Sequence, residues 1–380
     1  MNETTIAGVL TPGGRGAVAT IMATGNLAHG IDDFFTAANG RRLTDQVLNR
    51  VVFGQWGDDP AEDVVVCRVS EEVCRISEEQ VEISCHGGDA ATRRILSDLN
   101  SVGMETAPPS KLLARTQSPF EADWTLATSR AVTTKTLRIL LQQRCVFPKA
   151  IQSIIEMFSD GSHEAAQQSL REILEWGRFG QHLNQPWEVV LCGRPNVGKS
   201  SLINALLGFQ RAIVFDQPGT TRDVVRGETA IDGWPMRFAD TAGIRETAES
   251  LESAGIERTR QMLAKADLRL IVCDLSEPLD ADTDQLLREF PDALHVANKF
   301  DLPTQWPADR LAGMHLVSSA TRQGLPGLVE AIGQRLVPIV PNDDQAIPIS
   351  PRQIETLQIA HDSPPETAVE ILNSLVTPER

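Results

Sequence analysis

The run Gly193-Arg194-Pro195-Asn196-Val197-Gly198-Lys199-Ser200-Ser201 constrains this chain more than any other feature. It is a complete Gly-x-x-x-x-Gly-Lys-Ser pattern. It follows the apolar stretch Glu188 to Cys192 and opens the helical run Leu202 to Leu207. A strand that passes into a helix through such a loop turns backbone N–H groups inward, and the helix N-terminus adds positive potential. The expected ligand is a row of phosphates. Lys199 is expected to reach the β- and γ-phosphates and Ser200 to ligate Mg²⁺, with Asn196, Val197, Gly198 and Ser201 in the same cradle.

Four further segments follow in order. Pro218-Gly219-Thr220-Thr221-Arg222-Asp223 offers Thr220 and Thr221, the latter placed to close the Mg²⁺ shell. Asp240-Thr241-Ala242-Gly243 ends a β run. Asp240 is expected to support the metal, and the Gly243 amide to sense the γ-phosphate. Asn298-Lys299-Phe300-Asp301 follows another apolar stretch. A carboxylate at Asp301 accepts from guanine N1–H and N2–H₂, which adenine does not offer in that arrangement. Ser318-Ser319-Ala320 is expected to close over the base. Together these segments predict a GTP-binding domain similar to the translation-factor-related GTPases. Ras-like members place a glutamine directly after the Asp-x-x-Gly segment, whereas Ile244 stands here and bears no hydrogen-bonding group. Asn196 has two readings: its side-chain oxygen holds a monovalent cation against the phosphates, or it supports the turn. Glu246, Glu249 and Glu252 form an acidic stretch whose composition alone suits a solvated helix start.

The 380 residues leave room for more than one domain. Before Thr116, β-rich runs at Val18 to Met22, Val51 to Trp56, Val64 to Val69 and Val81 to Cys85 surround an amphipathic stretch at Arg93 to Leu99, which predicts an α+β domain. From Glu121 to Gln185 apolar residues fall at helical spacing, with Gly177 expected as a C-cap. From Trp187 onward β and helical runs alternate (Met236 to Ala239, Leu268 to Cys273, Leu294 to Ala297, His315 to Ser318), as a mostly parallel sheet requires. Asp232-Gly233 predicts one antiparallel hairpin. The pattern turns helical again after Pro341. The expected fold is an α/β P-loop GTPase domain inserted in a helical domain and preceded by an α+β N-terminal domain. The expected boundaries are 1–118, 119–186 with 339–380 for the two helical parts, and 187–338 for the GTPase part.

No apolar run approaches membrane-spanning length, and the N-terminus lacks the basic and apolar regions of a secretion signal. Six scattered cysteines without a Cys-x-x-Cys pair predict reduced thiols in a cytoplasmic protein. The net charge of −16 argues against a general nucleic-acid coat, though not against a local basic groove.

The G-domain residues, including Ala212-Ile213-Val214 before the Pro-Gly-Thr-Thr segment and Gly255-Ile256-Glu257-Arg258 after the Asp-x-x-Gly segment, resemble the tRNA-modification GTPase family MnmE (TrmE). At the N-terminus Thr11-Pro12-Gly13-Gly14-Arg15-Gly16 and Val81-Glu82-Ile83-Ser84-Cys85-His86-Gly87-Gly88 resemble that family's folate-binding domain. The resemblance implies a homodimer, a reduced folate on the N-terminal domain with Glu82 in its site, and potassium-dependent meeting of the G domains. It also implies a flavin-binding partner protein and tRNA whose wobble uridine is modified. It assigns Asn196, Phe215, Gln217 and Thr220 to potassium, and Ser200 and Thr221 to magnesium. Glu252 is assigned to positioning the attacking water, and Thr221 and Lys199 to the catalytic site. Two positions depart from the pattern: Met22 stands where the family has an arginine, and Glu121 where it has a lysine. The chain also ends Ser374 to Arg380 without the family's cysteine-containing signature. These departures predict an intact GTPase half with weak or absent folate binding. They keep open a switch or scaffold protein that uses GTP without folate-dependent chemistry.

Overall fold

A computed structural model describes residues 4–11, 16–25, 27, 30–70, 80–209, 226–240 and 263–376. The chain forms two compact units, one of Met1–Arg130, Gln143–Gly177 and Ala346–Arg380, the other of Ala131–Gln142 and Arg178–Gln345.

The first unit contains a seven-stranded sheet in the order β3-β4-β5-β6-β2-β1-β7. Its strands are β1 (Ile6–Val9), β2 (Val18–Thr24), β3 (Phe35–Ala37), β4 (Val51–Trp56), β5 (Glu62–Val69), β6 (Gln80–His86) and β7 (Glu105–Thr106). Neighbours are antiparallel except β1 and β7. Alternation puts Ile21, Val66 and Ile83 on one face, where Ile95 and Leu99 of α1 (Asp89–Ser101) cover them. On a second patch Ile6 and Met22 pack with Leu112 and Leu113 of α2 (Pro109–Thr116) and Ala122 of α3 (Pro119–Arg130). The short strands β1, β3 and β7 escape sequence reading because two to four residues carry too little periodicity.

The same unit holds most of α4 (Thr134–Ser159), α5 (His163–Glu175), α10 (Pro351–Asp362) and α11 (Pro365–Val376). One apolar core joins Phe147 and Ile151 of α4, Leu170 of α5, Leu357 of α10 and Leu372 of α11. Buried Gln143 and Gln353 accept from the backbone N–H of Ile347 and Ile349, so the polar backbone entering α10 is satisfied. Gly177 does not cap the preceding helix. Trp176 does, and Gly177 begins the short α6 (Gly177–Gln181). Its glycine identity has another reason: a Cβ there lies 3.1 Å from the Ile354 side chain.

The second unit contains a six-stranded sheet in the order β13-β12-β11-β8-β10-β9. Its strands are β8 (Trp187–Cys192), β9 (Arg226–Ile231), β10 (Trp234–Asp240), β11 (Leu268–Asp274), β12 (Leu294–Asn298) and β13 (His315–Leu316). Its helices α7 (Lys199–Leu207), α8 (Ala281–Glu289) and α9 (Leu325–Leu336) follow β8, β11 and β13. All strand pairs are parallel except β9 with β10, joined by Asp232-Gly233 with both φ values positive, as a tight hairpin requires. β13 is shorter than the expected His315 to Ser318 because the chain turns: the Ser318 N–H donates to the Gln323 carbonyl at 2.9 Å. Residues 131–142 belong to this unit, whereas the sequence boundaries put them in the helical part. The reason is a clasp on the hairpin: Thr133 Oγ1 donates to the Gly233 carbonyl, and Lys135 Nζ pairs with Asp232 at 2.8 Å and lies over the Trp234 ring. Among the described residues no helix is long and apolar enough to cross a membrane.

Candidate nucleotide site

The Gly193–Ser201 segment joins β8 to α7. Gly193 has φ +151°, and a Cβ there lies 2.2 Å from the Val272 carbonyl oxygen of β11, so only glycine lets the loop pass the sheet. Gly198 has φ +93°, and its Cβ would lie 2.4 Å from Asn298 Nδ2. Asn196 is also left-handed, with φ +65°. Lys199 is buried, and its Nζ donates to the Gly193 and Arg194 carbonyls at 3.1 and 2.9 Å. The ammonium is therefore held inside the loop. Ser200 Oγ donates to Asp240 Oδ2 at 2.8 Å, and Lys199 Nζ lies 3.9 Å from Asp240 Oδ1. Asp240, at the end of β10, is buried. A hydroxyl and a carboxylate side by side at a helix N-terminus are hard oxygen donors that suit Mg²⁺.

The base side is tied to the phosphate side. Fully buried Asn298, at the end of β12, donates through Nδ2 to the Val197 carbonyl at 2.9 Å and accepts through Oδ1 from the Ser319 N–H at 3.1 Å. Lys299 has φ +61° and pairs with Asp274 at the end of β11. Burial pushes the Asp274 carboxyl up, but hydrogen bonds from Lys299 and Ser276 outweigh that and hold it below the ordinary carboxylate range. Burial, with a smaller push from the Asp240 charge, raises the Cys192 thiol, at the end of β8, to about 12 despite Lys199 and Arg269 nearby.

Asn196, Gly198, Ser201, Asn298, Lys299, Asp301, Ser319 and Ala320 line one cavity of about 690 Å³. The structure thus brings eight residues of the phosphate-loop and base-motif segments to one space. Asn204, Ala205, Leu302 and Arg322 line it too and were not anticipated. Asn204 and Ala205 follow Ser201 at helical spacing on α7, a signal the sequence does carry. Arg322 has none, since it lies outside every motif. Arg194 of the loop pairs with Asp280, whose carboxylate caps α8 by accepting from the Thr283 N–H at 2.8 Å. Ser318 is buried at the turn after β13. Phe215, Gln217, Thr220, Thr221, Thr241, Ala242, Gly243, Ile244, Glu246, Glu249 and Glu252 lie outside the described residues.

Glu82 lies on β6 directly opposite Met22 of β2, and it accepts from Gln80 Nε2 at 3.1 Å. Met22 is buried in the apolar patch with Leu112 and Leu113. Glu121 faces Arg144 at 3.5 Å. Four cations of this domain are engaged with other groups. Arg94 donates to the Pro60 and Asp58 carbonyls, Arg93 to the Asp89 carbonyl and Arg115 to the Thr4 carbonyl, while Lys111 pairs with Glu105 at 3.7 Å. Among the described residues, these donors do not fit a ligand with an anionic glutamate tail.

Two family models match the chain: "50S ribosome-binding GTPase" over residues 188–299 and "GTP-binding protein TrmE N-terminus" over residues 5–115. The "tRNA modification GTPase MnmE" of Geobacillus kaustophilus is 35% identical over 373 residues, covering 86% of this chain and 81% of the relative. The protein of the same description from Lacticaseibacillus paracasei is 30% identical over 405 residues, covering 94% and 87%. Among solved structures, the G domain of the T. maritima FeoB iron transporter is 27% identical, with a TM-score of 0.31, covering 40% of this chain and 99% of that one.

Proposed function

Since the chain belongs to the MnmE family of tRNA modification GTPases, we propose that it couples GTP hydrolysis to modification of the tRNA wobble uridine. It is a GTP-hydrolysing enzyme. The observation that carries the reading is the continuity of phosphate and base sides: Lys199 inside the loop, Ser200 on Asp240, and Asn298 bridging Val197 to Ser319.

In this reading Lys199 and the loop amides hold the phosphates, and Ser200 with Asp240 and Thr221 holds Mg²⁺, which neutralises charge on the β- and γ-phosphates. Asp301 reads guanine N1–H and N2–H₂, with Ser318, Ser319 and Ala320 closing over the ring. Ile244 cannot orient water; the family resemblance gives that role to Glu252, and assigns K⁺ to Asn196 with Phe215, Gln217 and Thr220. The G domains of a homodimer meet in potassium, and a flavin-binding protein joins them on tRNA. The α/β domain, about 187–338, interrupts one helical domain built from 119–186 and 339–380. The shared core of α4, α5, α10 and α11 supports that arrangement.

The deciding experiment is mass spectrometry of wobble nucleosides from a strain deleted for this chain. Loss of the modification is expected, and an unchanged profile defeats the reading. GTP turnover is expected to be faster in potassium than in sodium, a difference that Asn196→Ala removes. Glu252→Ala is expected to slow turnover with GTP affinity nearly unchanged. A second reading, a GTP-driven switch or scaffold without folate chemistry, is favoured by one observation, the burial of Met22 in an apolar patch.

A further inference from the structure

The phosphate loop is held near its helix end by Asn298, which donates to the Val197 carbonyl at 2.9 Å. Its strand end starts at Gly193, packed against the Val272 carbonyl of β11, and continues with Arg194. The Arg194 carbonyl accepts from Lys199 Nζ at 2.9 Å, so the position of this peptide helps set where the ammonium sits. The Arg194 side chain leaves the loop and pairs with Asp280, ahead of α8.

Asp280 is a fixed anchor. Its Oδ1 accepts from the Thr283 N–H at 2.8 Å, and its Oδ2 takes the guanidinium. A helix N-terminus favours a carboxylate, and the capping bond restricts its rotation. The segment before it is pinned in turn: Gln305 Nε2 donates to the Ser276 carbonyl at 2.7 Å, and Trp306 Nε1 to the Glu277 carbonyl at 3.0 Å. Asp284, one turn on, is engaged by Arg288 and Arg310 instead. The Arg194 and Asp280 side chains are 49% and 33% exposed, so solvent screens their attraction. Such a pair adds little to global stability, but it ties a ligand loop to a rigid neighbour.

We propose that Arg194 is a positioning residue of the phosphate loop, anchored on Asp280 so that the Arg194 peptide and Lys199 keep one geometry before nucleotide arrives. The guanidinium acts through the loop and does not touch the phosphates. Loosening the anchor therefore weakens the grip on ground state and transition state alike, which raises KM and leaves kcat in place. This rests on the phosphate-loop reading of Gly193–Ser201, and the test separates the two.

Steady-state GTP turnover and GDP titration of the full chain decide the matter, for wild type, Arg194→Gln, Arg194→Lys, Asp280→Asn and the double variant Arg194→Gln/Asp280→Asn. Asparagine caps a helix as well as aspartate does, so Asp280→Asn removes the ion pair and keeps α8. Each of Arg194→Gln and Asp280→Asn is expected to raise KM and the GDP Kd by on the order of fivefold, with kcat near wild type. The double variant is expected to be no worse than either single one, because both remove the same contact. Arg194→Lys is expected to recover part of the loss, since it keeps the charge without the planar fork. The proposal is overturned if both single variants keep wild-type KM and Kd, or if their effects add in the double variant. It is also overturned if Arg194→Gln lowers kcat while Asp280→Asn does not, because the arginine then acts on the phosphates itself. If Lys199→Ala binds GTP as wild type does, the phosphate-loop reading is wrong and the proposal goes with it.

Discussion

The nucleotide cavity and the Met22 face of the N-terminal sheet treat their polar groups in opposite ways. Around the cavity, buried polar side chains are satisfied by the backbone of neighbouring loops: Lys199 by Gly193 and Arg194, Asn298 by Val197 and Ser319. On the sheet face, the position directly opposite Glu82 is filled by an apolar side chain packed against α2. The first region is organised for a charged ligand in advance. The second is a patch of packed apolar side chains.

The largest effect expected is on the first region. Lys199→Ala should lower GTP affinity roughly a hundredfold or more, since a charge-assisted contact to phosphate is lost from a buried site. Fluorescence titration checks this, and near-normal affinity would erase the contrast. On the second region, Met22→Arg places a charge in an apolar patch, with Glu82 directly opposite as its partner, and should lower the unfolding free energy in a denaturant titration. A stable Met22→Arg protein that gains micromolar binding of 5-formyltetrahydrofolate in a calorimeter would show that the patch is still a ligand site. Wild type is expected to give no binding heat with that folate.

A smaller effect concerns the base of the nucleotide-binding sheet. Burial pushes the Asp267 carboxyl up, but bonds from His182, the Glu188 N–H and Arg178 outweigh it and hold it below the ordinary range. A carboxyl lowered in the folded state stabilises fully above its unfolded pKa, and that contribution is lost as pH falls through the folded value. Asp267→Asn should therefore destabilise the protein at neutral pH by about 1–3 kcal/mol and flatten the acid limb of a stability-against-pH curve. The smallest effect is chemical. Cys192 and Cys273, both pushed up to about 12 by burial, should resist alkylation in the native protein, whereas exposed Cys145 reacts. Mass-resolved labelling distinguishes them.

The nucleotide loop, the strands that carry Asp240 and Asn298, and the hairpin at Asp232-Gly233 were legible in the sequence, because each is a local pattern that forces a backbone conformation. Other features were not. Gly177 looked like a helix terminator, but its missing side chain makes room for Ile354, distant in sequence. Residues 131–142 read as one helical zone with their successors, yet Thr133 and Lys135 fasten them to a turn about a hundred residues on. The burial of Met22 was equally out of reach, since its neighbours come from α2 and α3. Each miss is a tertiary contact overriding a local signal.

The double anchorage of Asn298 also limits how the pocket can change its preference among bases. The amide that borders the base also closes the turn of the phosphate loop, so any residue lacking one of its two functions loosens the grip on triphosphate together with the recognition of purine. Drift toward another nucleobase must leave that position untouched. It is confined to side chains around the rim that answer to nothing else, so the energy source of the enzyme is more firmly inherited than the identity of the base attached to it.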